Sequence, residues 1–196
     1  MDSPILMGIP LAAASGLNAY FPLLIVAIAD RATSQFTLER PYDFISSTLG
    51  ILVLLALLTV ELVADKIPKV DHVNDLVQSA IRPATGAILF MAVTNADDSL
   101  HPLIAMVLGL LIAGAVHWVK TIARPQITLN TGGFGNPIVS TIEDALCAVT
   151  AIAAVLFPPL GLAAMGGSAF VLRRTYRKAQ TMDLSKSRFT AGTSRR

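Results

Sequence analysis

Long apolar segments are the feature that most limits what this chain can fold into. A helix needs about 20 consecutive apolar residues to cross the hydrocarbon core of a bilayer. One such segment has the uncharged centre GILVLLALLTV. We therefore predict an all-α fold, a polytopic transmembrane helical bundle. The five clearest candidate spans are residues 5–29, 44–64, 77–95, 102–122 and 138–157.

The number of spans is predicted to be about six, with five as the alternative. Pro158 and Pro159 force a turn after the fifth span, because two adjacent prolines cannot continue a helix. The next segment, residues 160–172, is short and is either a sixth span or a re-entrant segment. Interrupted helices are expected within the first span and at Arg82-Pro83, which falls in the first turns of the third span.

The composition supports a membrane protein with a basic tail. The chain is 54% hydrophobic and 14% charged, against about 25% charged in an average soluble domain. Eight of the 15 Lys and Arg residues follow Leu172, so the net charge of +2 comes from the tail. We predict a transmembrane domain at 1–172 and a disordered cytoplasmic tail at 173–196, which would attract anionic lipid. The body before the tail has more acidic than basic residues and gives no reason to expect nucleic acid as a partner.

The basic residues also predict the orientation. With six spans and a cytoplasmic N-terminus, thirteen Lys and Arg residues lie inside and only Arg31 and Arg40 lie outside. The positive-inside rule favours this arrangement. We therefore expect a multi-pass protein of the cell membrane with both termini in the cytoplasm. The five-span alternative places the N-terminus outside.

Four motifs in order resemble one known family. They are SGLNAYFPLL at 15–24, ELVADKIPKVDHVND at 61–75, IRPATGA at 81–87 and TGGFGNPIVSTIEDA at 131–145. Together they are similar to the uncharacterised membrane proteins grouped as domain of unknown function 4126, over most of the chain up to about Leu172. The resemblance implies a multi-span architecture. It implies no activity and assigns no functional residue.

Asn18 is the first candidate ligand-binding residue. It lies between Gly16, which weakens a helix, and Pro22, which cannot donate a backbone hydrogen bond to the Asn18 carbonyl. The Asn18 amide could therefore face a ligand or another helix. The alternative is a kinked helix whose small residues allow close packing.

The second candidate group follows the second predicted span. Glu61 and Asp65 are spaced i,i+4 and share one helix face. Such a pair could bind a cation or share a proton. Asp71, His72 and Asp75 would add oxygen and imidazole ligands, although the spacing fits no established metal motif, so the identity of any metal is left open. The alternative is a solvated loop with Glu61 alone at depth.

His117, Lys120 and Arg124 are the third group, and their spacing places them on one helix face. This face could pair with Glu61 or Glu143, or hold an anionic head group. Beside Trp118, Lys120 and Arg124 are interpreted as anchors at the membrane interface. His117 lies one turn deeper and is the stronger candidate.

The fourth group follows a glycine-rich stretch. Asn136 is predicted to cap the next helix, with Pro137 at its first position. Capping does not explain Glu143 and Asp144 inside the fifth span. We predict that Glu61 and Glu143 face one polar cavity with His117 and Lys120 as partners.

These groups favour a transporter or channel for a small solute or ion, because membrane proteins build such sites at broken helices. The alternatives are a non-catalytic membrane scaffold and a membrane-embedded enzyme acting on a lipid-linked phosphate. No catalytic signature or activated nucleophile is visible, and Cys147 is interpreted as a buried apolar residue. We expect no cofactor. The lipid bilayer is the expected partner, and a homo-oligomer is an open alternative.

Overall fold

Helices form nearly the whole of the protein that the structure describes. This computed structural model describes residues 4–33, 37–95, 100–131 and 135–193, and side chains throughout these ranges except at 68–73, 75 and 179–193. A short 3-10 helix, Tyr42–Ser46, lies between the second and third α-helices. The α-helices within the described ranges are α1 (Pro4–Leu17), α2 (Tyr20–Ala32), α3 (Thr48–Ala64), α4 (Pro68–Asn95), α5 (Pro102–Thr131), α6 (Gly135–Leu156) and α7 (Pro158–Thr193).

The predicted all-α class is confirmed, but fewer helices than predicted meet the requirements of a span. Within the described residues, three helices are long and apolar enough to cross a membrane: Leu76–Asn95 of α4, then α5 and α6. α1 and α3 are apolar but have only 14 and 17 residues. At 1.5 Å per residue α1 is about 21 Å long, which is short of the bilayer core. By length and composition, fewer than six of the described helices therefore qualify as membrane spans.

The first predicted span is interrupted, as expected, and Asn18 lies at the break. α1 ends at Leu17 and α2 begins at Tyr20. The Asn18 Oδ1 atom accepts the backbone N–H groups of Tyr20 and Phe21, both at 3.1 Å. These two groups have no intrahelical partner at the start of a helix, so the Asn18 side chain stabilises α2.

The interruption predicted at Arg82-Pro83 is wrong, because α4 continues through Pro83. α5 likewise continues through Pro125. A proline removes one backbone bond from a helix, and packing against neighbouring helices can compensate for it in a membrane bundle. The break in α1–α2 therefore depends on the Asn18 side chain as well as on Pro22.

Small residues allow the helices of the centre to approach closely. A side chain added at Gly86 of α4 would meet the Gly109 carbonyl oxygen of α5 at 2.7 Å. One added at Gly16 of α1 would come within 2.7 Å of the Val116 side chain of α5. Such contacts are typical of helix packing in membranes. α1 is buried from Pro10 to Leu17 and packs against α4, α5, α6 and α7, so it is the central helix.

The direction of the helices brings their polar segments to one end of the bundle. Ser79 pairs with His117, and Pro83 lies against Gly114, so α4 and α5 run antiparallel. The same reasoning from Asn18–Asp144 and Ala14–Cys147 makes α1 and α6 antiparallel. The break after α1 therefore meets the C-terminal end of α3 and the N-terminal half of α6.

α7 differs from the predicted last segment. The turn predicted at Pro158-Pro159 is present, since α6 ends at Leu156 and α7 begins at Pro158. α7 then continues to Thr193, so the segment predicted to be a disordered tail has a helical backbone. Tyr176 is buried although it lies beyond the predicted boundary at 172. The division into two domains stays a prediction.

Candidate functional site

Six ionisable side chains meet inside the bundle, and we call them the charged cluster: Glu61, Asp65, Arg82, Lys120, Arg124 and Glu143. Each is at most 1% exposed. They come from the C-terminal end of α3, from α4, from the second half of α5 and from α6. A buried charge is unfavourable by several kcal/mol unless it is paired. The pairing therefore decides whether such a cluster can exist.

Glu61 is held by Arg82. The guanidinium donates to the Glu61 Oε1 atom from Nη2 at 2.9 Å and from Nε at 3.3 Å. Its Nη1 lies 3.1 Å from the His117 Nδ1. A guanidinium only donates, so the His117 Nδ1 accepts and the ring is neutral, with its proton on Nε2. That nitrogen donates to the Ser79 hydroxyl at 2.9 Å.

Asp65 lies at the centre of the charged cluster. Its Oδ2 atom has three cationic neighbours: Lys120 at 3.4 Å, Arg124 at 3.5 Å and Arg82 at 3.8 Å. Two neutral side chains also donate to its carboxylate, Ser140 at 3.2 Å and Asn74 at 2.7 Å. Asp65 therefore links the Glu61–Arg82 pair to the cations of α5.

Glu143 completes the other side of the charged cluster. Its Oε2 atom lies 2.9 Å from the Arg124 Nη2 and 3.0 Å from the Lys120 Nζ. Its Oε1 atom accepts a short hydrogen bond of 2.6 Å from the Tyr176 hydroxyl. Lys120 also donates to the Leu17 carbonyl oxygen at 3.1 Å, at the end of α1. One lysine thus joins a carboxylate of α6 to the broken helix.

A second ion pair leads from the cluster towards the surface. Asp144 accepts from the Asn18 amide at 3.1 Å and from Lys66 at 3.4 Å. The side chains of Lys66 and Asp144 are 40% and 10% exposed. Asn18 lies at the break between α1 and α2, and Lys120 contacts the same break. The Lys66–Asp144 ion pair therefore lies at the accessible edge of the same site.

The charges of the cluster balance, which limits its chemistry. Three carboxylates face three cations, so the cluster has no excess negative charge to attract a metal ion. Among the described residues, no group of three or more His, Cys, Asp and Glu side chains is placed to hold a metal. The Glu61 Oε2 atom is buried and has no hydrogen-bond partner within the described part of the chain. The arrangement is suited to proton transfer or to exchange of one ion-pair partner for a charged solute.

The structure brings together most of the predicted site residues. Seven of them contact one another or share a partner: Asn18, Glu61, Asp65, His117, Lys120, Glu143 and Asp144. Asn136 lies at the edge, where its amide donates to the Thr128 hydroxyl at 2.9 Å. The side chains of Asp71, His72 and Asp75 lie outside the described residues.

Three interpretations need correction. Lys120 and Arg124 are not interface anchors, since both are buried, whereas Trp118 is 67% exposed. His117 contacts Arg82 instead of Glu61 or Glu143 among the side chains that the structure describes. Asn136 lies inside α6, not at its cap, since α6 begins at Gly135 and the Gly135 N–H is bound by the Thr131 hydroxyl at 3.0 Å.

Arg82, Lys66 and Tyr176 are the partners that sequence reasoning did not place in the site, and Arg124 was assigned to the membrane interface. Arg82 and Arg124 each precede a proline inside an apolar segment. An arginine at that depth is unfavourable without a carboxylate, so the depth alone could have indicated an ion pair. Tyr176 carried no such signal, because it lies among the basic residues of the predicted tail.

Comparison with known proteins gives one match. The family model described as a domain of unknown function, number 4126, matches residues 5–178. The matched region includes every residue of the charged cluster and extends past Tyr176. No curated protein and no solved structure matches the chain at a significant level.

Proposed function

The chain belongs to the family of domain of unknown function 4126, and we propose that this membrane-type helical protein is a transporter or channel for a small solute or ion. The charged cluster is the proposed site of binding. The proposal extends to the topology: about six membrane crossings, including the broken α1–α2 segment, in the cell membrane with both termini in the cytoplasm. The excess of basic residues expected on that side supports this orientation.

The observation that carries the proposal is the burial of six ionisable side chains inside a bundle of apolar helices. Ionisable residues are rare within membrane spans, and those that occur usually mark ion pathways, proton relays or ligand sites. A core of similar volume built from apolar side chains would often be equally stable. Stability alone therefore does not account for the cluster.

The break between α1 and α2 supports the same role. Irregular backbone at membrane depth is tolerated only where it is buried in protein or lines a polar cavity. The Leu17 carbonyl and the Asn18 side chain, both at the break, contact Lys120 and Asp144. Transporters place their binding sites at such breaks.

A proton is the ion that the site accommodates most simply. Proton uptake at the Glu61 Oε2 atom, which has no hydrogen-bond partner among the described residues, would weaken the ion pair between Glu61 and Arg82. The Arg82 guanidinium could then exchange the Glu61 carboxylate for another anionic group. Proton movement would thereby be coupled to a change in helix packing or to solute binding.

Flux measurements in reconstituted vesicles test the proposal. The purified protein is placed in liposomes with a trapped pH-sensitive dye, and proton entry is followed after a pH step. A solute-uptake screen under the same gradient extends the test. We expect Glu143→Gln and Glu61→Gln each to reduce flux at least about tenfold, since either change removes a protonatable group. Glu39→Gln alters an exposed carboxylate and should leave the flux unchanged.

A charge-balanced variant separates transport from folding. Glu61→Gln combined with Arg82→Gln removes one carboxylate and one cation, so the charges of the cluster stay balanced. We expect this double variant to insert and fold but to lose flux. Full flux in the folded double variant, or the absence of proton and solute flux in the unmodified protein, would contradict the proposal.

The balance of charges in the cluster favours one other candidate, a non-catalytic membrane scaffold. Buried ion pairs would then fix the arrangement of α3, α4, α5 and α6. For a scaffold, the same substitutions should lower the melting temperature and change no flux. A homo-oligomer remains a prediction, which cross-linking in the membrane would test.

A further inference from the structure

A groove on the outside of the bundle lies beside the charged cluster. Its cavity of about 510 Å³ lies between α1, α5, α6 and α7. Most of its surface is apolar, with Ala13, Val119, Met165 and Leu172 among the lining side chains. No described helix fills it. In a membrane such a groove is accessible to lipid.

The length of the groove matches one lipid chain. Along α7 its lining extends from Met165 to Arg177. Twelve residues of helix correspond to about 18 Å. Half of the hydrocarbon core of a bilayer is about 15 Å thick. The groove is therefore long enough for the acyl chain of a lipid in one leaflet.

One end of the groove is basic. Arg173 and Arg177 line both the groove and an adjoining hollow of about 490 Å³, to which Arg174 and Lys178 also contribute. Arg173 and Arg174 are exposed, and neither has a carboxylate within ion-pair distance in the described part of the chain. The concentration of positive charge at the end of an apolar channel suits a molecule with one apolar chain and an anionic head.

We propose that this groove binds an anionic phospholipid, with one acyl chain along α7 and the phosphate at Arg173 and Arg177. Arginine binds phosphate well because its planar guanidinium can donate two parallel hydrogen bonds. The groove also reaches the charged cluster, since Lys120 and Tyr176 line it and both contact Glu143. A lipid in the groove would therefore cover the Lys120 and Tyr176 side chains, which contact Glu143. The proposal does not depend on transport.

Native mass spectrometry of the full, delipidated protein in detergent tests the lipid site. The probes are dioleoylphosphatidylglycerol and dioleoylphosphatidylcholine, which have the same acyl chains. We expect one phosphatidylglycerol to bind at least about tenfold more tightly than phosphatidylcholine. Arg173→Gln with Arg177→Gln should weaken that binding about thirtyfold, the loss expected when two surface cations are removed. The matched variant Arg31→Gln with Arg40→Gln, which alters two exposed arginines outside the groove, should bind normally.

A second pair of variants tests the acyl chain. Ala169 lines the groove, whereas the exposed Ala163 on the same helix does not. Ala169→Trp should fill the groove and abolish the tight binding, while Ala163→Trp should have no effect, with equal helical content by circular dichroism in both. Binding that depends on the arginines but survives Ala169→Trp would show a surface attraction only and would overturn the proposal. Equal affinity for the two lipids, or a second copy of the chain in place of lipid, would overturn it as well.

Discussion

The charged cluster and the basic end of the groove both contain basic side chains, but these differ in burial and in pairing. Arg82, Lys120 and Arg124 are fully buried and each contacts at least one carboxylate. Arg173 and Arg174 are exposed and have no carboxylate within ion-pair distance among the described residues. In the charged cluster, each cation is already paired with a carboxylate of the folded chain. At the groove, the positive charge remains available to an outside ligand.

The largest expected effect comes from removing one charge from the cluster. Lys120→Met leaves Glu143 and Asp65 with one cation fewer in a buried site. Breaking a buried ion pair in this way should destabilise the protein by about 3–5 kcal/mol. The measurement is thermal unfolding in detergent, followed by circular dichroism. A change below about 1 kcal/mol, the usual size for an exposed ion pair, would mean that the cluster is hydrated in solution.

A compensating substitution sharpens the same comparison. Lys120→Met with Glu143→Gln removes one charge of each sign. We expect the double variant to be more stable than Lys120→Met alone by about 2 kcal/mol, because contacting residues are energetically coupled. A double-mutant cycle built on the melting temperatures gives this value. Simple additivity of the two changes would show that Lys120 and Glu143 are not partners.

Tyr176 joins the two regions, and Tyr176→Phe tests that link. The variant keeps the ring but removes the hydroxyl that donates to Glu143 at 2.6 Å. A hydrogen bond to a charged group contributes about 1.5–3 kcal/mol, so a loss near the lower limit is expected. Tyr42→Phe, which alters a half-buried tyrosine outside the groove and the charged cluster, is the control. An unchanged melting temperature for Tyr176→Phe would show that this hydrogen bond does not couple α7 to the charged cluster.

The smallest effect on folding is expected at the groove. Arg173→Gln with Arg174→Gln changes two exposed residues with no ionic partner in the described structure. Such surface substitutions alter stability by about 0.5 kcal/mol or less. Thermal unfolding without added lipid measures the change. A loss as large as that of Lys120→Met would remove the distinction between the two regions.

The sequence was sufficient for the features that depend on local pattern. Apolar segments predicted an all-helical bundle, and the combination of Gly16, Asn18 and Pro22 predicted the break in the first span. The i,i+4 spacing predicted that Glu61 and Asp65 share a face, and both do contact Arg82. These properties follow from the geometry of a single helix.

The sequence could not predict which helix faces pack together. Lys120 was interpreted as a residue of the membrane interface because Trp118 lies close to it in the sequence. Residues two apart on a helix, however, point in nearly opposite directions. Trp118 is exposed and Lys120 is buried for that reason. The pairing of Glu61 with Arg82 depends on contacts between helices, so no spacing along the chain could have revealed it.

The Asn18 side chain imposes a mechanical constraint on the molecule. Its oxygen holds the first turn of α2, while its nitrogen holds Asp144 on α6. A rotation of α2 about the break would therefore pull on α6, and a shift of α6 would loosen the first turn of α2. The Asn18 amide thus connects α2 to α6 through hydrogen bonds. Either the two helices tilt together, or the hydrogen bonds from Asn18 to one of them must break.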